Sequence, residues 1–595
     1  MKKFAYFISI IIAFSLTSCK KDFLNAPTKS SLDASVIFST YDLAQGAVDG
    51  IEVPFGETNS YRGRFLPWYG MNTDAEWYNS SQNNGDGKAD LCVYDATPTN
   101  TQMNTSDNAW AMMYEGIERA NICIQGLRTY GNPKPGTQMG QLLGTALTLR
   151  AVYYADLVKA WGDVPARFKP ITSQTLYVAK SSRDVIYKQI IADLGEAENL
   201  VAWPNETSAT STVEDINKAF VKGFRARLCL AASGYSEYPD GIHRSTDPAL
   251  SVDSMYTLAY NECLDIINSG TCQLNPDFSE VFKKNCEGDI AAGGEVLWEI
   301  PFGSGRGRML STFGIQHLST DQYTQQAKGG LVGPVPTLFY DYNINDSRRD
   351  VTCIPYEWAK AVGGIAQQVP LSLEQWDFGK YRYEWTSSPV TSTNDDGVND
   401  IYMRYAEVIM MAAETANQLQ GPAAAAPFLK MIRERAFPQQ YWPQDVDEYV
   451  NSLTTQSAMF NAIVREYKLE FAGEMLRKQE LIRWNLLDTK LDSTESDMND
   501  LRNRSGKYAD VPANLYYKYA SDGVTLDFYG LNPGDTLDVS AEYPYVVNNW
   551  VSPSQLSDTK ISSLYARDPN KWEYWPIWQV FIDASKGTLT NDYGY

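Results

Sequence analysis

A stripe of apolar residues recurs every three or four positions between Leu143 and Trp161. The stripe consists of Leu143, Leu147, Ala151, Tyr154, Val158 and Trp161. This spacing places the six side chains on one face of an α-helix, which turns once in roughly 3.6 residues. Gly162-Asp163-Val164-Pro165 follows directly and predicts that the helix ends at Trp161 with a turn at Gly162. A helix of this length with one buried face favours a helical body.

Similar periodicity predicts several other helices along the chain. They cover roughly 108–130, 182–201, 214–234, 252–268, 402–420, 423–436 and 456–488. Short turns join neighbouring predicted helices, as in the antiparallel hairpins of a tetratricopeptide-like stack. Other stretches are rich in Gly, Pro, Asn, Asp and aromatic residues and have no sustained helical period, namely 54–107, 269–400 and 500–595.

The sequence therefore predicts a mainly α protein. Its expected architecture is a tetratricopeptide-like helical-repeat scaffold with a large irregular insertion of loops, short helices and short strands. We expect three regions. Residues 35–268 form an N-terminal helical region with a ligand loop, residues 269–400 form an irregular insertion, and residues 401–595 form a C-terminal region whose helices complete the scaffold.

The N-terminus has the features of a secreted lipoprotein. The basic Met1-Lys2-Lys3 precedes an apolar run from Phe4 to Leu16, which is shorter than the roughly 20 residues that a membrane-spanning helix needs. The run ends in Leu16-Thr17-Ser18-Cys19, which resembles a lipobox. We therefore predict a signal peptide at 1–18, lipidation of Cys19, and a tether over 19–34 that links the body to a membrane. No later segment is apolar enough to span one.

The charge balance limits the partners of this chain. There are 51 Lys and Arg residues against 72 Asp and Glu residues, which gives a formal net charge of -21. A protein of this charge repels nucleic acids and other polyanions, because binding them requires basic side chains that neutralise phosphates. We therefore expect no nucleic-acid partner and a neutral ligand.

Seven cysteines besides Cys19 follow no CxxC or Cys/His spacing, so no zinc site is predicted. Cys123 and Cys229 lie on apolar helical stretches and are predicted to be buried thiols. An oxidising compartment would permit one disulfide among Cys263, Cys272 and Cys286.

Four blocks of sequence carry a family resemblance. They are Arg150 to Val158 with Trp161 to Pro165; Met403 to Val408 with Ala413-Glu414; Arg465-Glu466, Leu469-Glu470-Phe471, Gly473-Glu474 and Arg483-Trp484; and Tyr574 to Ile577 with Asn591 to Tyr595. In their order and spacing, and together with the lipobox, these blocks resemble the SusD/RagB family of Bacteroidetes outer-membrane nutrient-binding lipoproteins along nearly the whole chain.

The resemblance implies both a place and a role. The protein would be a lipid-anchored component of the cell outer membrane that faces the extracellular side. There it would capture a polysaccharide or oligosaccharide and deliver it to a SusC-like TonB-dependent transporter, which it covers as a lid. The family implies no catalytic site and no cofactor. Charged residues of the matching blocks, such as Arg404 with Glu407 or Arg465 with Glu470, are expected to form ion pairs that orient helices.

A glycan site needs flat aromatic rings and a few fixed polar partners. The clearest candidate in the sequence is a mixed cluster on a polar stretch, made of Trp68, Tyr69, Asn72, Asp74, Trp77, Tyr78 and Asn79. The alternative is that Trp68 and Trp77 fill gaps between this stretch and the scaffold. From the insertion we add four aromatic candidates, Tyr323, Tyr342, Trp358 and Trp376.

Two loops, 83–90 and 394–400, carry oxygen ligands around glycine turns, but neither has the EF-hand spacing, so solvated turns are expected and no metal site is predicted. Two other functions stay open. A glycoside hydrolase needs two carboxylates across the scissile bond, but the chain has no GxSxG or HExxH motif and its histidines are His243 and His317. A peptide-binding, RagB-like uptake subunit is the second alternative.

Overall fold

The computed structural model describes residues 33–303, 305–360, 363–392 and 395–595. The predicted signal peptide, Cys19 and most of the tether lie outside these residues. Helices of the N-terminal region are α1 (Ala34–Ser39), α2 (Tyr41–Asp49), α3 (Gly87–Cys92), α4 (Ala109–Gly126), α5 (Gln138–Trp161), α6 (Arg183–Ala197), α7 (Lys218–Ser233) and α8 (Val252–Ser269).

Further helices follow in the insertion and the C-terminal region. They are α9 (Phe278–Glu287), α10 (Met309–Phe313), α11 (Thr337–Asp341), α12 (Arg349–Thr352), α13 (Tyr405–Gln420), α14 (Pro422–Ala436), α15 (Tyr449–Ser452), α16 (Gln456–Phe471), α17 (Arg477–Arg483), α18 (Leu487–Asn503), α19 (Asp558–Ile561) and α20 (Gln579–Ala584).

The strands are short and pair antiparallel. They are β1 (Glu76–Tyr78), β2 (Tyr235–Tyr238), β3 (Gly241–Arg244), β4 (Val296–Ile300), β5 (Val332–Pro334), β6 (Cys353–Ile354), β7 (Tyr356–Lys360), β8 (Ala366–Pro370), β9 (Asp377–Phe378), β10 (Asp400–Arg404), β11 (Leu515–Tyr519), β12 (Leu526–Tyr529) and β13 (Tyr545–Val547). The pairs are β1 with β5, β2 with β3, β4 with β10, β6 with β9 and β7 with β8, and β11 lies between β12 and β13.

The long helices pack on their neighbours in chain order. Helix α4 contacts α5, α5 contacts α6, α6 contacts α7, and α7 contacts α8. Helix α8 in turn contacts α13, and α13 contacts both α14 and α16. This is the serial packing of a tetratricopeptide-like scaffold, with the irregular insertion placed between α8 and α13. The predicted mainly α fold class is confirmed.

Helix α5 forms the centre of the N-terminal scaffold. Thr137 caps its first turn, since its side-chain oxygen accepts a hydrogen bond from the Gly140 backbone N–H at 3.1 Å. All six residues of the predicted stripe are buried, but so is most of the rest of the helix. The cause is packing on several sides. For example, Trp161 donates its indole N–H to the Pro576 carbonyl at 3.1 Å.

The predicted single helix over 456–488 is wrong. The chain instead forms α16 and α17 with an irregular link from Ala472 to Leu476. In this link Gly473 has φ +82° and Met475 has φ +59°, and neither conformation continues a right-handed helix. The interruption places the Glu474 carboxylate between Arg404 and Lys380, so burial of these charges takes precedence over helical continuity.

A buried ion network connects the insertion with the C-terminal helices. Its members are Glu295, Asp346, Arg348 and Lys380 from the insertion, and Arg404, Arg433, Arg435, Glu466, Glu470 and Glu474 from the C-terminal region. Arg348 lies within 2.8 Å of three carboxylates, those of Asp346, Glu466 and Glu470. Five cations thus face five carboxylates, which is the balance that buried charges require.

The expected structural roles of the signature charges are therefore correct, but their partners differ. Arg404 pairs with carboxylates of the ion network, and Glu407 pairs with Arg227 at 2.5 Å. Arg465 donates to the Asp341 carbonyl at 2.6 Å and does not pair with Glu470. Burial alone would raise the pKa of Glu470, but three arginines of the network outweigh burial and hold this pKa well below its ordinary value.

The seven cysteines of the described chain are free and buried. The predicted burial of Cys123 and Cys229 is confirmed. The disulfide considered among Cys263, Cys272 and Cys286 is absent from this structure. Burial raises the pKa of the Cys229 thiol to about 12, so this thiol is a poor nucleophile. None of the helices in the described ranges is both long and apolar enough to cross a bilayer.

We predict that Gly162→Ala destabilises the protein. Gly162 has φ +69°, and an added Cβ would lie 2.7 Å from the Tyr593 hydroxyl. Backbone strain alone costs about 1–3 kcal/mol, and the steric conflict adds to it. Urea unfolding measures the loss. Gly136→Ala is the matched control, because Gly136 has φ +73° with open space around its Cβ position. Equal losses for the two variants would show that Tyr593 is not a constraint.

We predict a larger loss for Glu470→Gln. The substitution removes one of five carboxylates from the ion network and leaves buried arginines without a counter-charge, which costs about 3–5 kcal/mol. The measurement is the free energy of unfolding in urea. Glu196→Gln is the control, since Glu196 forms an exposed pair with Arg128 and exposed pairs contribute under about 1 kcal/mol. A Glu470→Gln variant as stable as the control would contradict the importance of the network.

Candidate functional site

The predicted ligand cluster of the N-terminal region is buried, so the expectation of an exposed sugar platform there is wrong. Asn79 is half-buried. The other six members are buried, namely Trp68, Tyr69, Asn72, Asp74, Trp77 and Tyr78. Their burial follows from β1, which pairs with β5 of the insertion and places Trp77 opposite Gly333. The alternative interpretation, that these rings fill gaps against the scaffold, matches the structure.

The polar members of this cluster connect segments that are far apart in the chain. The Asp74 carboxylate accepts two hydrogen bonds from Arg477, at 2.7 and 2.8 Å. The Asn72 amide donates to the carbonyls of Ser563 and Leu564 at 2.9 and 3.0 Å. Burial alone would raise the pKa of Asp74, but Arg477 and then Lys468 outweigh it and lower this pKa. These groups are therefore occupied by the protein itself.

Trp77 has a cation as its neighbour. The Lys560 ammonium lies 4.1 Å from the centre of the indole ring and donates to the Tyr78 and Asn79 carbonyls at 2.9 Å each. Burial lowers the pKa of Lys560 to about 7. The Trp77 ring and the Lys560 side chain are both buried here, so neither is accessible to a ligand.

Two of the predicted aromatic residues of the insertion are also core residues. The Tyr342 hydroxyl donates to the Leu469 carbonyl at 2.7 Å, deep in the molecule. Trp376 is fully buried and stacks with Trp550, with 5.8 Å between ring centroids. The expectation that Tyr342 and Trp376 contact ligand is wrong, because both are shielded from solvent.

The other two predicted residues of the insertion, Tyr323 and Trp358, lie side by side with 5.6 Å between their ring centroids. Tyr356 adjoins Trp358, with 6.2 Å between ring centroids. Trp385 is linked to Tyr356 through Arg382, whose guanidinium lies 4.7 Å from the Trp385 ring centre and donates to the Tyr356 hydroxyl at 3.5 Å. We name these four rings the aromatic cluster. Trp358 is buried and the other three rings are half-buried. The Trp358 indole N–H donates to the Glu384 carboxylate at 2.7 Å, and this bond fixes the orientation of the Trp358 ring.

His317 is the buried support of the aromatic cluster. Its ring stacks on Trp358 with 6.0 Å between centroids, and its Nδ1 is 2.6 Å from the Asp321 carboxylate. Burial alone would lower the pKa of His317, but Asp321 and then Glu384 outweigh burial and raise it. Asp321 also accepts the backbone N–H of Tyr323 at 2.8 Å, so the histidine and the aspartate fix the loop that carries this ring.

A second group of side chains lies beside the aromatic cluster. We name it the arginine cluster, and its members are Arg62, Arg64, Arg306 and Arg308. The Arg64 guanidinium donates to the Gln102 carbonyl and side-chain oxygen at 2.8 and 2.7 Å. Arg62 and Arg64 lie on a helical turn over Tyr61–Phe65, and Arg306 and Arg308 lie on the loop before α10. None of the four was among the predicted site residues.

Two residues that are near each other in the sequence contact the two clusters. The Val390 backbone N–H donates to the Tyr323 carbonyl at 3.0 Å, and Asp395 pairs with Arg62. Val390 and Asp395 are separated by five residue steps, which span at most about 18 Å. We refer to the aromatic and arginine clusters together as the loop surface. It combines rings, guanidinium groups and carbonyl and carboxylate oxygens.

The glycine-turn loops considered for calcium are held by other contacts. Asp86 accepts the Lys88 backbone N–H at 2.8 Å and caps α3, and Asp396 accepts the Ser311 N–H at 3.1 Å. No group of three or more acidic, histidine or cysteine side chains suited to a metal ion occurs within the described residues.

Sequence reasoning also missed a tyrosine-rich sheet formed by β11, β12 and β13. On its surface Tyr517 stacks on Tyr545, with ring centroids 5.1 Å apart and planes 19° from parallel. Tyr545 is 47% exposed. The alternation in Leu515-Tyr516-Tyr517-Lys518-Tyr519 is the sequence pattern that could have predicted this sheet, since residues two apart share one face of a strand.

The sequence pattern that could have predicted the arginine cluster is an Arg-Gly-Arg triplet that occurs twice, at 62–64 and 306–308.

Comparisons with known proteins agree with this architecture. The sequence model of the SusD family matches residues 372–595, and a second model, described as starch-binding associating with outer membrane, matches residues 48–230. Together the two matches cover more than half of the chain. The protein belongs to the SusD family, so the predicted family is confirmed.

Individual relatives extend the agreement. SusD-like protein P25 of Formosa agariphila is 22% identical over 522 residues, which are 81% of this chain and 89% of that protein. The crystal structure of a SusD homolog from Bacteroides thetaiotaomicron superposes with a TM-score of 0.72 at 17% identity, covering 95% of this chain and 99% of that one. Surface glycan-binding protein A from the same species, in complex with laminarihexaose, gives a TM-score of 0.61 at 18% identity, with 93% and 99% coverage.

We predict that Trp77→Ala lowers stability instead of removing a ligand contact. Trp77 is fully buried, and emptying such a site costs about 3–5 kcal/mol. Urea unfolding measures this loss, and Trp77→Phe, which retains most of the ring volume, is the control with a smaller effect. A Trp77→Ala variant that keeps the wild-type melting temperature but loses polysaccharide retention would contradict this prediction and would indicate that Trp77 contacts the ligand.

Proposed function

We propose that this protein binds a polysaccharide or oligosaccharide on its loop surface, without catalysing a reaction, and delivers it to a SusC-like TonB-dependent transporter. The observation that carries the proposal is the group of half-buried rings in the aromatic cluster, Tyr323, Tyr356 and Trp385, set beside polar side chains on fixed loops. A sugar ring has an apolar C–H face and a rim of hydroxyls, and this mixture of groups suits both.

Family membership and the fold support this proposal. A structural neighbour over nearly the whole chain is a surface glycan-binding protein in complex with laminarihexaose. Membership also supports attachment to the outer membrane, and we propose that Cys19 carries the lipid and that the body faces the extracellular side. With two or three acyl chains, such an anchor is stable. The transporter would then receive ligand from a partner that stays in the same membrane.

Three carboxylates of the loop surface, two beside the aromatic cluster and one at Arg62, are engaged by the protein itself, which favours binding without catalysis. Asp321 is hydrogen bonded to His317, Glu384 accepts the indole N–H of Trp358, and Asp395 pairs with Arg62. A glycosidase would need one carboxyl group free to protonate the leaving oxygen and a second on the opposite side of the sugar. Release of reducing sugar from a bound polysaccharide would favour the glycoside hydrolase alternative.

A peptide ligand is the second alternative, as in RagB-like uptake subunits. A peptide in extended conformation gains affinity by pairing its backbone with an exposed strand edge. Rings with flanking side-chain donors favour sugar, because stacking needs only an apolar face and hydroxyls accept from guanidinium and amide groups. Retention on polysaccharide gels, compared with binding of mixed peptides, separates the two ligands.

We predict that Tyr323→Ala weakens polysaccharide retention and leaves the fold intact. Losing one stacking ring costs about 1–3 kcal/mol, or roughly tenfold to a hundredfold in affinity, if stacking of nucleic-acid bases on aromatic rings is a guide. Affinity electrophoresis of the lipid-free protein through gels that contain soluble polysaccharides measures the effect, and the melting temperature reports on the fold.

Tyr130→Ala is the matched control, since Tyr130 is 45% exposed on the helical scaffold, at the segment that follows α4. A second variant, Tyr545→Ala, tests the tyrosine-rich sheet. If Tyr323→Ala retains full affinity while Tyr545→Ala loses it, the glycan site belongs to that sheet and our placement on the loop surface is wrong.

A further inference from the structure

Two Arg-Gly-Arg triplets from distant parts of the chain meet at the loop surface. They are Arg62-Gly63-Arg64 and Arg306-Gly307-Arg308. A Cβ on Gly63 would lie 2.2 Å from the Thr58 carbonyl oxygen and 3.1 Å from an Arg308 nitrogen. A Cβ on Gly307, where φ is +111°, would lie 2.2 Å from the Val398 carbonyl oxygen. Both central positions therefore require glycine, and this lets the flanking arginines converge.

The inner arginines of the cluster are bound by the protein. Arg62 is almost fully buried, donates to the Gly56 carbonyl at 2.7 Å and pairs with Asp395. Arg64 donates to Gln102. Burial lowers the pKa of Arg62, Asp395 opposes this, and Arg306 and Arg308 lower the pKa further through their like charge, so these three guanidinium groups act on one another.

Arg306 is the member of the cluster that is available to a ligand. Its side chain is 37% exposed, and its ion-pair contact is with Glu57 at 3.9 Å, beyond hydrogen-bond distance. Among the described residues the guanidinium of Arg306 takes part in no hydrogen bond. A guanidinium group presents five N–H donors in a planar fork, and no residue in the described part of the chain accepts a hydrogen bond from those of Arg306.

The local charge differs from that of the whole chain. Three carboxylates lie near the four arginines, those of Glu57, Asp107 and Asp395. Asp396 adjoins them, since its backbone N–H donates to the Gly307 carbonyl at 2.9 Å, so the local charge is close to balance in a chain with net charge -21. At physiological ionic strength, charges more than about 8 Å away are largely screened. A ligand at the loop surface therefore experiences the arginines more strongly than the acidic remainder of the protein.

We propose that the arginine cluster makes the loop surface select glycans that carry anionic groups, with Arg306 as the residue that contacts them. The inference rests on the proposed glycan binding and specifies its ligand class. Sugar carboxylates and sulfate esters share the required chemistry, because both present oxygens that accept two parallel N–H donors from one guanidinium. The rings of the aromatic cluster would hold the sugar faces while Arg306 recognises the charge.

Affinity electrophoresis with three probes tests the inference: polygalacturonate for carboxylates, a sulfated galactan for sulfate esters, and the neutral glucan laminarin. We expect stronger retention by at least one anionic probe than by laminarin, falling as salt rises from 0.05 to roughly 0.2 M. Arg306→Gln should weaken anionic retention about tenfold, the usual effect of one charge-assisted hydrogen bond. Which anionic probe is retained identifies the carboxylate or the sulfate ester as the ligand group.

Arg128→Gln is the matched control, because it removes one exposed arginine from the helical scaffold, where Arg128 pairs with Glu196. It should change neither anionic nor neutral retention. Laminarin retention equal to anionic retention, or anionic retention unchanged in Arg306→Gln, overturns the charge selection while glycan binding stands. Absence of retention by all three probes overturns both this inference and the proposed glycan binding.

Discussion

The buried ion network is the interaction on which the rest of the structure depends. Its ten charged groups lie where the insertion meets the C-terminal helices, and each half supplies partners to the other: Arg348 pairs with Glu466 and Glu470, and Glu295 pairs with Arg404 and Arg435. Burial of any one of them without partners would be strongly unfavourable. These ion pairs therefore fix the position of the insertion relative to the C-terminal helices. The loops of the insertion are positioned with it.

The scaffold was predictable because helical periodicity is local. The stripe from Leu143 to Trp161 identifies α5, and similar patterns identify the other long helices to within a few residues at most ends. The prediction failed at Ala472 to Leu476, where apolar periodicity continues but buried charges require an irregular link. Local patterns do not contain that requirement, since the partners Arg404 and Lys380 lie in other segments.

The site was harder to predict because a polar side chain has the same appearance in sequence whether it binds a ligand or a distant part of the chain. Asp74 and Asn72 lie among rings, as in a sugar platform, yet their partners are Arg477 and the Ser563 carbonyl. Pairing of β1 with β5 turns this stretch into the core. Tyr323 and Trp358 were selected from the same kind of evidence and do lie together. Net charge is an average, so it favoured neutral ligands and concealed the arginine cluster.

The end of the chain completes a contact with its first third. The Arg183 guanidinium donates to the Tyr593 hydroxyl at 2.6 Å across 410 positions of sequence, and Trp161 donates to the Pro576 carbonyl across 415. Closing contacts over such separations is slow, because loop-closure entropy must be overcome before the contacts form. During synthesis the helix pair α5 and α6 has to wait, with apolar surface uncovered, until the last residues of the chain are available. The contacts that complete this part of the scaffold therefore form only after residues 576–593 have been synthesised.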